Sequence, residues 1–525
     1  MNLCLARVCP PVFLASVLPL ALASVCLAQP CAFSVSPQVT YSGFAAASPS
    51  IVLADVNADG FPDMVEATSA ASVLNLSTIA VRLNNGLGAF GPVISTPIGV
   101  VNGSFRFGLA VADMNGDGVR DVVVTDAVNN GVLIFRGLNN GSFQTPPSAH
   151  ATGPTPARVV VGDFNNDAIP DIATSSTNQV SVLLGLGNGF FQTRLDAPLG
   201  PVGVDQGGFF MAAADIDNDG RLDLAVVCTQ TSTVAVLRGS GNGSFQPALS
   251  IATPGSTRSI AIGDLNTDGR KDIMITQNSY TMRLIPGLGN GTFGPIVTIE
   301  CLNDTTQARG LALADVNNDG KLDIITTNYI GLTTGSIGVH ISTGAGGFLA
   351  QTLYGSFPLA SNFQYENVAA ADVNGDGLID FASTTTSPTT IMFTNFTGGS
   401  ANITQAPTSQ KVAAGSPAIF TVATAVTNAS YQWFRNGVLL LNSANVTGAT
   451  TAALTVLAAQ AANEGVYEVR VSTPCSTVRA SAFLSIVAPC NNTIPCPADF
   501  NADGEVNPDD LADYIGAYFS GAPCN

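Results

Sequence analysis

A nine-residue acidic loop recurs seven times at intervals near 50 residues. Six of the copies are followed by a Gly-rich turn that ends in Phe. Between residues 403 and 487 the loops stop and apolar–polar alternation takes over. Together these observations predict an all-β chain. A seven-bladed β-propeller comes first, then a β-sandwich, then a small Ca-binding loop–helix tail.

The loops carry the chemistry. Copy one reads DVNADGFPD and offers Asp55, Asn57, Asp59 and Asp63. Copy two offers Asp113, Asn115, Asp117 and Asp121, and copy three Asp163, Asn165, Asp167 and Asp171. Copy four offers Asp215, Asp217, Asp219 and Asp223, and copy five Asp264, Asn266, Asp268 and Asp272. Copies six and seven offer Asp315, Asn317, Asp319, Asp323 and Asp372, Asn374, Asp376, Asp380. Side-chain oxygens thus fall at positions 1, 3, 5 and 9 of every loop. A backbone carbonyl is expected at position 7. Hard cations take six to eight oxygen ligands, and this spacing wraps such a cage around one ion. Glycine at position 6 lets the backbone turn back with positive φ. Asp, Asn and Gly also make good turns without any metal. Seven copies, each with Asp at positions 1, 5 and 9, favour the metal reading.

The loops begin 58, 50, 52, 49, 51 and 57 residues apart. Positions 2 and 10 are apolar in every copy, and the residue before each loop is Ala or Gly. Each loop is therefore expected to join two buried strands. GLALAD, the loop, LDIITTN and SIGVHIS show the order in unit six. A fourth strand is expected to open on the Phe of the Gly-rich turn: Phe90, Phe143, Phe191, Phe245, Phe293 and Phe348. The seventh unit lacks that hairpin. The segment Phe33 to Tyr41 resembles the missing piece and is expected to complete the last blade, leaving no sheet edge open.

The DxNxDGxxD loop and the GxGxF hairpin resemble the FG-GAP family, also described as VCBS-like repeats and known from the integrin α-chain. The resemblance covers residues 31 to 400. It implies a seven-bladed propeller with Ca²⁺ in each acidic loop. Ala168 departs from the pattern at position 6 of the third loop. A side chain in a left-handed turn costs about 1–2 kcal/mol, so the third site is expected to be the weakest, or distorted.

Only 11 % of the 525 residues are charged, and Gly is abundant. That fits a turn-rich secreted β protein. The formal net charge is −18, and 22 of the 37 acidic residues lie in the seven loops. An acidic chain argues against nucleic acid as a partner. It predicts strong self-repulsion when no cation is bound. Residues 1–28 read as a signal peptide: Arg7 is followed by the apolar run Pro11 to Val25, with Ala28 before the cut. The run is too short and Pro-broken for a transmembrane helix, and the chain is expected to be secreted or held at the cell surface. Seven cysteines remain after the signal, and Cys490, Cys496 and Cys524 cluster at the C-terminus. An odd number leaves at least one thiol without an intramolecular partner.

Residues 29–400 form the predicted propeller, 401–488 a second domain and 489–525 a tail. The second domain is similar to an immunoglobulin-like sandwich. Trp433 stands where such a domain carries its core tryptophan, and Asn463 to Tyr467 stand in the frame of a tyrosine corner. Phe420 and Val469 take the usual cysteine positions, so apolar packing must replace the bridge. In the tail, DFNADGEVNPDD supplies Asp499, Asn501, Asp503, Asn507 and Asp510 at EF-hand spacing. An amphipathic helix is predicted after it, with Leu511, Tyr514, Ile515, Tyr518 and Phe519 on one face. The tail resembles half a dockerin, like the short Cys-flanked tails of bacterial exported proteins. That implies a cohesin-like or cell-surface partner, although a full dockerin has two such units.

His150, expected in a loop, and His340, expected in a strand, are the two histidines. Neither has a companion at zinc-ligand spacing. No GxSxG, HExxH or P-loop occurs. The resulting expectation is a non-catalytic, calcium-binding adhesion or ligand-binding module, with seven ions in the propeller and one in the tail. A lectin-like polysaccharide binder is the second reading, though one Trp and nine Tyr are few for sugar stacking. An extracellular hydrolase or lyase is the third.

Overall fold

The computed structural model describes residues 35, 38–42, 50–68, 77–99, 108–200, 208–277, 279–301, 306–330, 334–358, 367–385, 389–395, 403–424, 429–473 and 477–487. The expected signal peptide, residues 1–28, and the tail 489–525, with Asp499, Asn501, Asp503, Asn507 and Asp510, lie outside the described residues.

Seven four-stranded antiparallel sheets follow one another along the chain. Sheet two shows the plan: Leu109–Ala112, Asp121–Asp126, Gly131–Phe135 and Ser148–Ala151. Its acidic loop joins the first two strands. The second strand, DVVVTD, is buried at all six positions. Such strands are apolar on both faces because a neighbouring sheet covers each face. The fourth strand, SAHA, is mostly exposed and forms the outer edge. First strands are rich in Ala and Gly. At Gly162 a side chain would meet Leu222, and at Gly263 it would meet Leu322.

Apolar clusters fill the gaps between consecutive sheets. Val65, Val81, Val122 and Phe135 join sheets one and two. The series ends where it began: Ile51, Met64 and Phe90 of sheet one pack with Val373, Ala382 and Met392 of sheet seven. Hydrogen bonds between units follow the same order. Gly243 N–H donates to Phe164 O in the previous unit's loop (2.9 Å). Asn84 Nδ2 of unit one donates to Val373 O in loop seven (2.6 Å).

Sheet seven has three strands of its own, Val368–Ala371, Asp380–Thr384 and Thr389–Phe393. Its fourth is Val39–Ser42 from the N-terminus, antiparallel to Thr389–Phe393. The expected strand exchange occurs at Val39–Ser42; Phe33 lies outside the described residues. Val35 makes an isolated bridge to Asn395.

Two expectations about local structure are corrected. The Phe of each Gly-rich turn does not open the fourth strand. Phe143, for example, makes an isolated bridge to Gly137, and the strand begins only at Ser148. The intervening residues carry the chain outward from the turn. His150 is not in a loop; it lies in the strand Ser148–Ala151, edge-on to Phe191. His340 ends the strand Thr334–His340, and its Nε2 lies 3.1 Å from Glu300 O.

Residues 403–487 form two sheets. One contains Gln410–Ala413, Thr477–Val487, Gly465–Ser472, Ser430–Arg435 and Val438–Leu439 in that spatial order. The other contains Ala418–Thr421, Ala453–Val456 and Val446–Thr447. Trp433, Phe420 and Val469 are fully buried between them. Phe420 stacks on Tyr467 at 4.8 Å. Tyr467 Oη donates to Asn463 O (2.8 Å), which makes the predicted tyrosine corner. Trp433 Nε1 donates to Thr451 O (2.9 Å), so its one polar atom is satisfied in the core.

Candidate metal centres in the acidic loops

Each loop is built around three carboxylates that accept backbone N–H groups. The Asp at position 1 reaches across its own turn. Asp55 Oδ1 accepts from Asp59 N (3.3 Å), and Oδ2 from Gly60 N (2.9 Å). Asp163, Asp215, Asp264, Asp315 and Asp372 repeat both bonds. So does Asp113. The Asp at position 5 accepts from the N–H at position 7, as Asp117 does from Val119 (2.8 Å). Some of these oxygens accept more than one N–H, as Asp113 Oδ1 does from Asn115, Gly116 and Asp117.

The Asp at position 9 has a second, long-range task. Asp63, Asp121, Asp171, Asp223, Asp272, Asp323 and Asp380 are all fully buried. Each Oδ2 accepts from the N–H at position 2, as Asp171 does from Phe164 (2.8 Å). Each Oδ1 accepts from the N–H two residues past the end of the third strand: Asn84, Gly137, Gly185, Gly239, Gly287, Ser342 and Asn395. One carboxylate thus ties the two turns at the same end of a sheet together. The four glycines in that series are needed for the approach: at Gly185 a side chain would collide with Pro170 O.

Burial pushes Asp63, Asp171, Asp223 and Asp323 up to about 6, against the backbone bonds that lower them. Burial also raises Asp121 and Asp272 and drives Asp380 well above the usual carboxylate range. A cation between the loop carboxylates would reverse this direction.

The position-3 side chain sits beside position 5. Asn57, Asn165, Asn266, Asn317 and Asn374 each donate Nδ2 to Oδ2 of that Asp, at 2.8 Å for Asn57 to Asp59. Asn115 instead accepts at Oδ1 from Asp117 N (2.9 Å). In loop four the residue is Asp217, which has no N–H to give. Its Oδ1 is buried and has no hydrogen-bond partner. Arg238 Nη1 lies 3.9 Å from Oδ2. Asp215, Asp217 and Asp223 each bring a carboxylate oxygen within 4.8 Å of the others. That donor set fits a hard divalent cation: oxygen only, three charges, and one buried acceptor without a donor.

Loop three is strained but not distorted. Ala168 has φ 64°, as position 6 requires, and its N–H donates to Asp163 Oδ2 at 2.7 Å. The loops have a second left-handed position, one that the sequence reading above does not include. Position 4 holds Ala58, Asn166, Asn218, Thr267 and Asn318, all with φ between 57° and 61°. The signal was there, since five of the seven residues at position 4 are Asn or Gly.

Comparison with known proteins identifies the repeats that carry these loops. The chain matches the FG-GAP-like repeat at residues 55–124, 113–174, 163–226, 215–275 and 264–326. These matches together span more than half of the sequence.

The chain belongs to the FG-GAP-like repeat family.

Loop seven of this FG-GAP-like protein lies beyond the matched region. Residues 401–486 match the immunoglobulin I-set domain. Cartilage acidic protein 1 of Xenopus tropicalis is 37% identical over 75 residues, 14% of this chain and 12% of that protein. The Mus musculus protein is 35% identical over the same length. The match thus spans about an eighth of these relatives. A solved lectin of Agrocybe aegerita, described as recognising non-reducing terminal N-acetylglucosamine, is 19% identical with TM-score 0.39. It covers 66% of this chain and 88% of its own. Titin domain M4 is 21% identical with TM-score 0.16, covering 17% of this chain and 95% of its own. Among the described residues, no helix is long and apolar enough to cross a membrane.

Proposed function

We propose that this is an exported, calcium-dependent adhesion or ligand-binding protein. Its domains would be a seven-bladed propeller at 29–400, an immunoglobulin-like spacer at 401–488 and a docking tail at 489–525. Support for a closed propeller comes from the inter-sheet clusters that return to sheet one and from the pairing of Val39–Ser42 with Thr389–Phe393.

The observation that carries the calcium reading is the loop-four cluster, Asp215, Asp217 and Asp223, with the buried, unpartnered Asp217 Oδ1. In each loop the side chains at positions 1, 3, 5 and 9 would hold one ion. Bound calcium would neutralise the loop carboxylates and cross-link them, so the metal contributes to folding free energy. The tail loop would hold one more ion, and a cohesin-like or cell-surface partner would engage the tail. No described cysteine is set up as a nucleophile: Cys228 and Cys301 are buried and free, and burial pushes both thiols up to about 11. The reading we favour is a binding protein.

The test is a thermal melt of the mature chain in excess calcium and again after chelation, with bound metal counted by elemental analysis. A large fall in Tm on chelation, with six to eight ions per chain, is the expected result. An unchanged melt with no metal bound would reduce the loops to turns.

A further inference from the structure

The last residue of each third strand stands opposite position 10 of the acidic loop. In five sheets it is apolar and buried: Phe135, Leu183, Leu237, Ile285 and Phe393. In sheets one and six it is Arg82 and His340. Both reach the carbonyl that ends the fourth strand of the neighbouring sheet. Arg82 donates to Ser42 O, and His340 Nε2 meets Glu300 O at 3.1 Å.

His340 keeps one polar atom in reserve. The side chain is 1% exposed, and Nδ1 has no hydrogen-bond partner. A carbonyl only accepts, so Nε2 carries the hydrogen and Nδ1 is a bare acceptor. Burial pushes His340 down, which keeps the ring neutral. An unsatisfied buried acceptor destabilises a fold, and the other sheets show that an apolar side chain fits this place.

His340 lines a cavity of about 380 Å³ between sheets five and six. Ile299, Phe348 and Leu349 supply an apolar wall. Cys301 adds a free thiol that burial keeps neutral. Glu300 is exposed and brings the one carboxyl group of the lining, and no Lys or Arg lines the cavity among the described residues. Arg283 donates to Thr298 Oγ1 without lining it.

We propose that this cavity binds a small organic amine, with its ammonium N–H on His340 Nδ1, its charge toward Glu300 and its carbon skeleton against Ile299 and Phe348. The bare acceptor calls for a donor. An acidic rim without a basic group selects a cation over an anion. A charged donor also makes a stronger hydrogen bond than a neutral one. The volume suits a ligand the size of benzylamine. The site uses none of the acidic loops and needs no bound metal.

The experiment uses the full mature chain, labelled with ¹⁵N at histidine, in excess calcium. The chain has two histidines, so His150 is the internal reference. Benzylamine, benzyl alcohol and benzoate are the probes, and NMR follows both rings. Benzylamine should shift the His340 Nδ1 resonance saturably and leave His150 unmoved. Benzyl alcohol should bind about tenfold more weakly, and benzoate should not bind. Glu300→Gln, an exposed substitution, should weaken benzylamine about tenfold and leave benzyl alcohol unchanged. His340→Leu should abolish binding and raise Tm in the absence of probe. If benzylamine leaves His340 unshifted, or binds His340→Leu as well as wild type, the site is overturned. If benzyl alcohol binds as tightly as benzylamine, the preference for a cation is overturned.

Discussion

Tyr41 stands opposite Thr390 in the same antiparallel sheet, although the whole repeat region separates them in sequence. The seam is held from several sides. Tyr41 packs edge-on against Phe90 at 5.5 Å, and Phe90 N–H donates to Tyr41 Oη (3.3 Å). Arg82 lies over the Tyr41 ring and donates to Ser42 O. Thr390 Oγ1 donates to the buried Glu66 Oε1. Removal of residues up to Ser42 should leave Thr389–Phe393 as an open edge, lower Tm and promote self-association. Tyr41→Ala should destabilise by about 2–3 kcal/mol. Denaturant melts and light scattering check both outcomes.

Loop four should respond to its acid in opposite ways with and without metal. Asp217→Asn removes a charge from a cluster that holds a buried, unpartnered oxygen. Metal-free, the variant should be more stable than wild type by about 1 kcal/mol. In saturating calcium the order should invert, because the site has lost an anionic ligand. Paired melts in the two conditions are the measurement. A variant less stable in both would show that Asp217 serves structure alone.

The pH dependence should change sign with metal. Burial raises the position-9 carboxyls, with Asp63, Asp171, Asp223 and Asp323 near 6 in the folded, metal-free chain. A carboxyl raised above its unfolded value contributes stability below the unfolded value near 4, and loses it as pH rises through 6. Metal-free protein should therefore gain stability on acidification from pH 7 toward pH 5. Calcium-loaded protein should lose stability over the same range, because protons then compete with the cation. Melting curves at constant ionic strength decide the matter.

Ala168→Gly should stabilise the chain by about 1 kcal/mol, since a left-handed backbone (φ 64°) costs Ala and not Gly. Because loop three keeps its hydrogen bonds, the gain should appear in stability rather than in a new ion. Gly220→Ala, at the same position of loop four with φ 83°, should cost a similar amount. Urea melts of the two variants in calcium give the comparison.

The loops were legible because their internal bonds are local. Asp55 to Gly60 spans five residues, so spacing alone specified the turn and its oxygens. The apolar partners were legible for the same reason, as was the tyrosine corner between Tyr467 and Asn463. The Phe hairpins were misplaced by a few residues, because whether Phe143 starts a strand or stops at one bridge depends on how far the next strand must travel outward. The second role of the position-9 Asp was not legible. Its partner amide lies 14 residues away at Gly185 and 21 at Asn84, and amides carry no mark in a sequence.

Composition and period by themselves determined the all-β class, the repeat count, the acidic loops and the domain with a tryptophan core. Each follows from periodicity or from contacts between near neighbours. Only the tertiary structure decided that Val39–Ser42 completes the last sheet at that register, that the position-9 carboxylates join two turns, and that Asp376 alone of its series is buried. These depend on which surfaces meet after the chain has come around, and seven nearly identical loops acquire different surroundings only then.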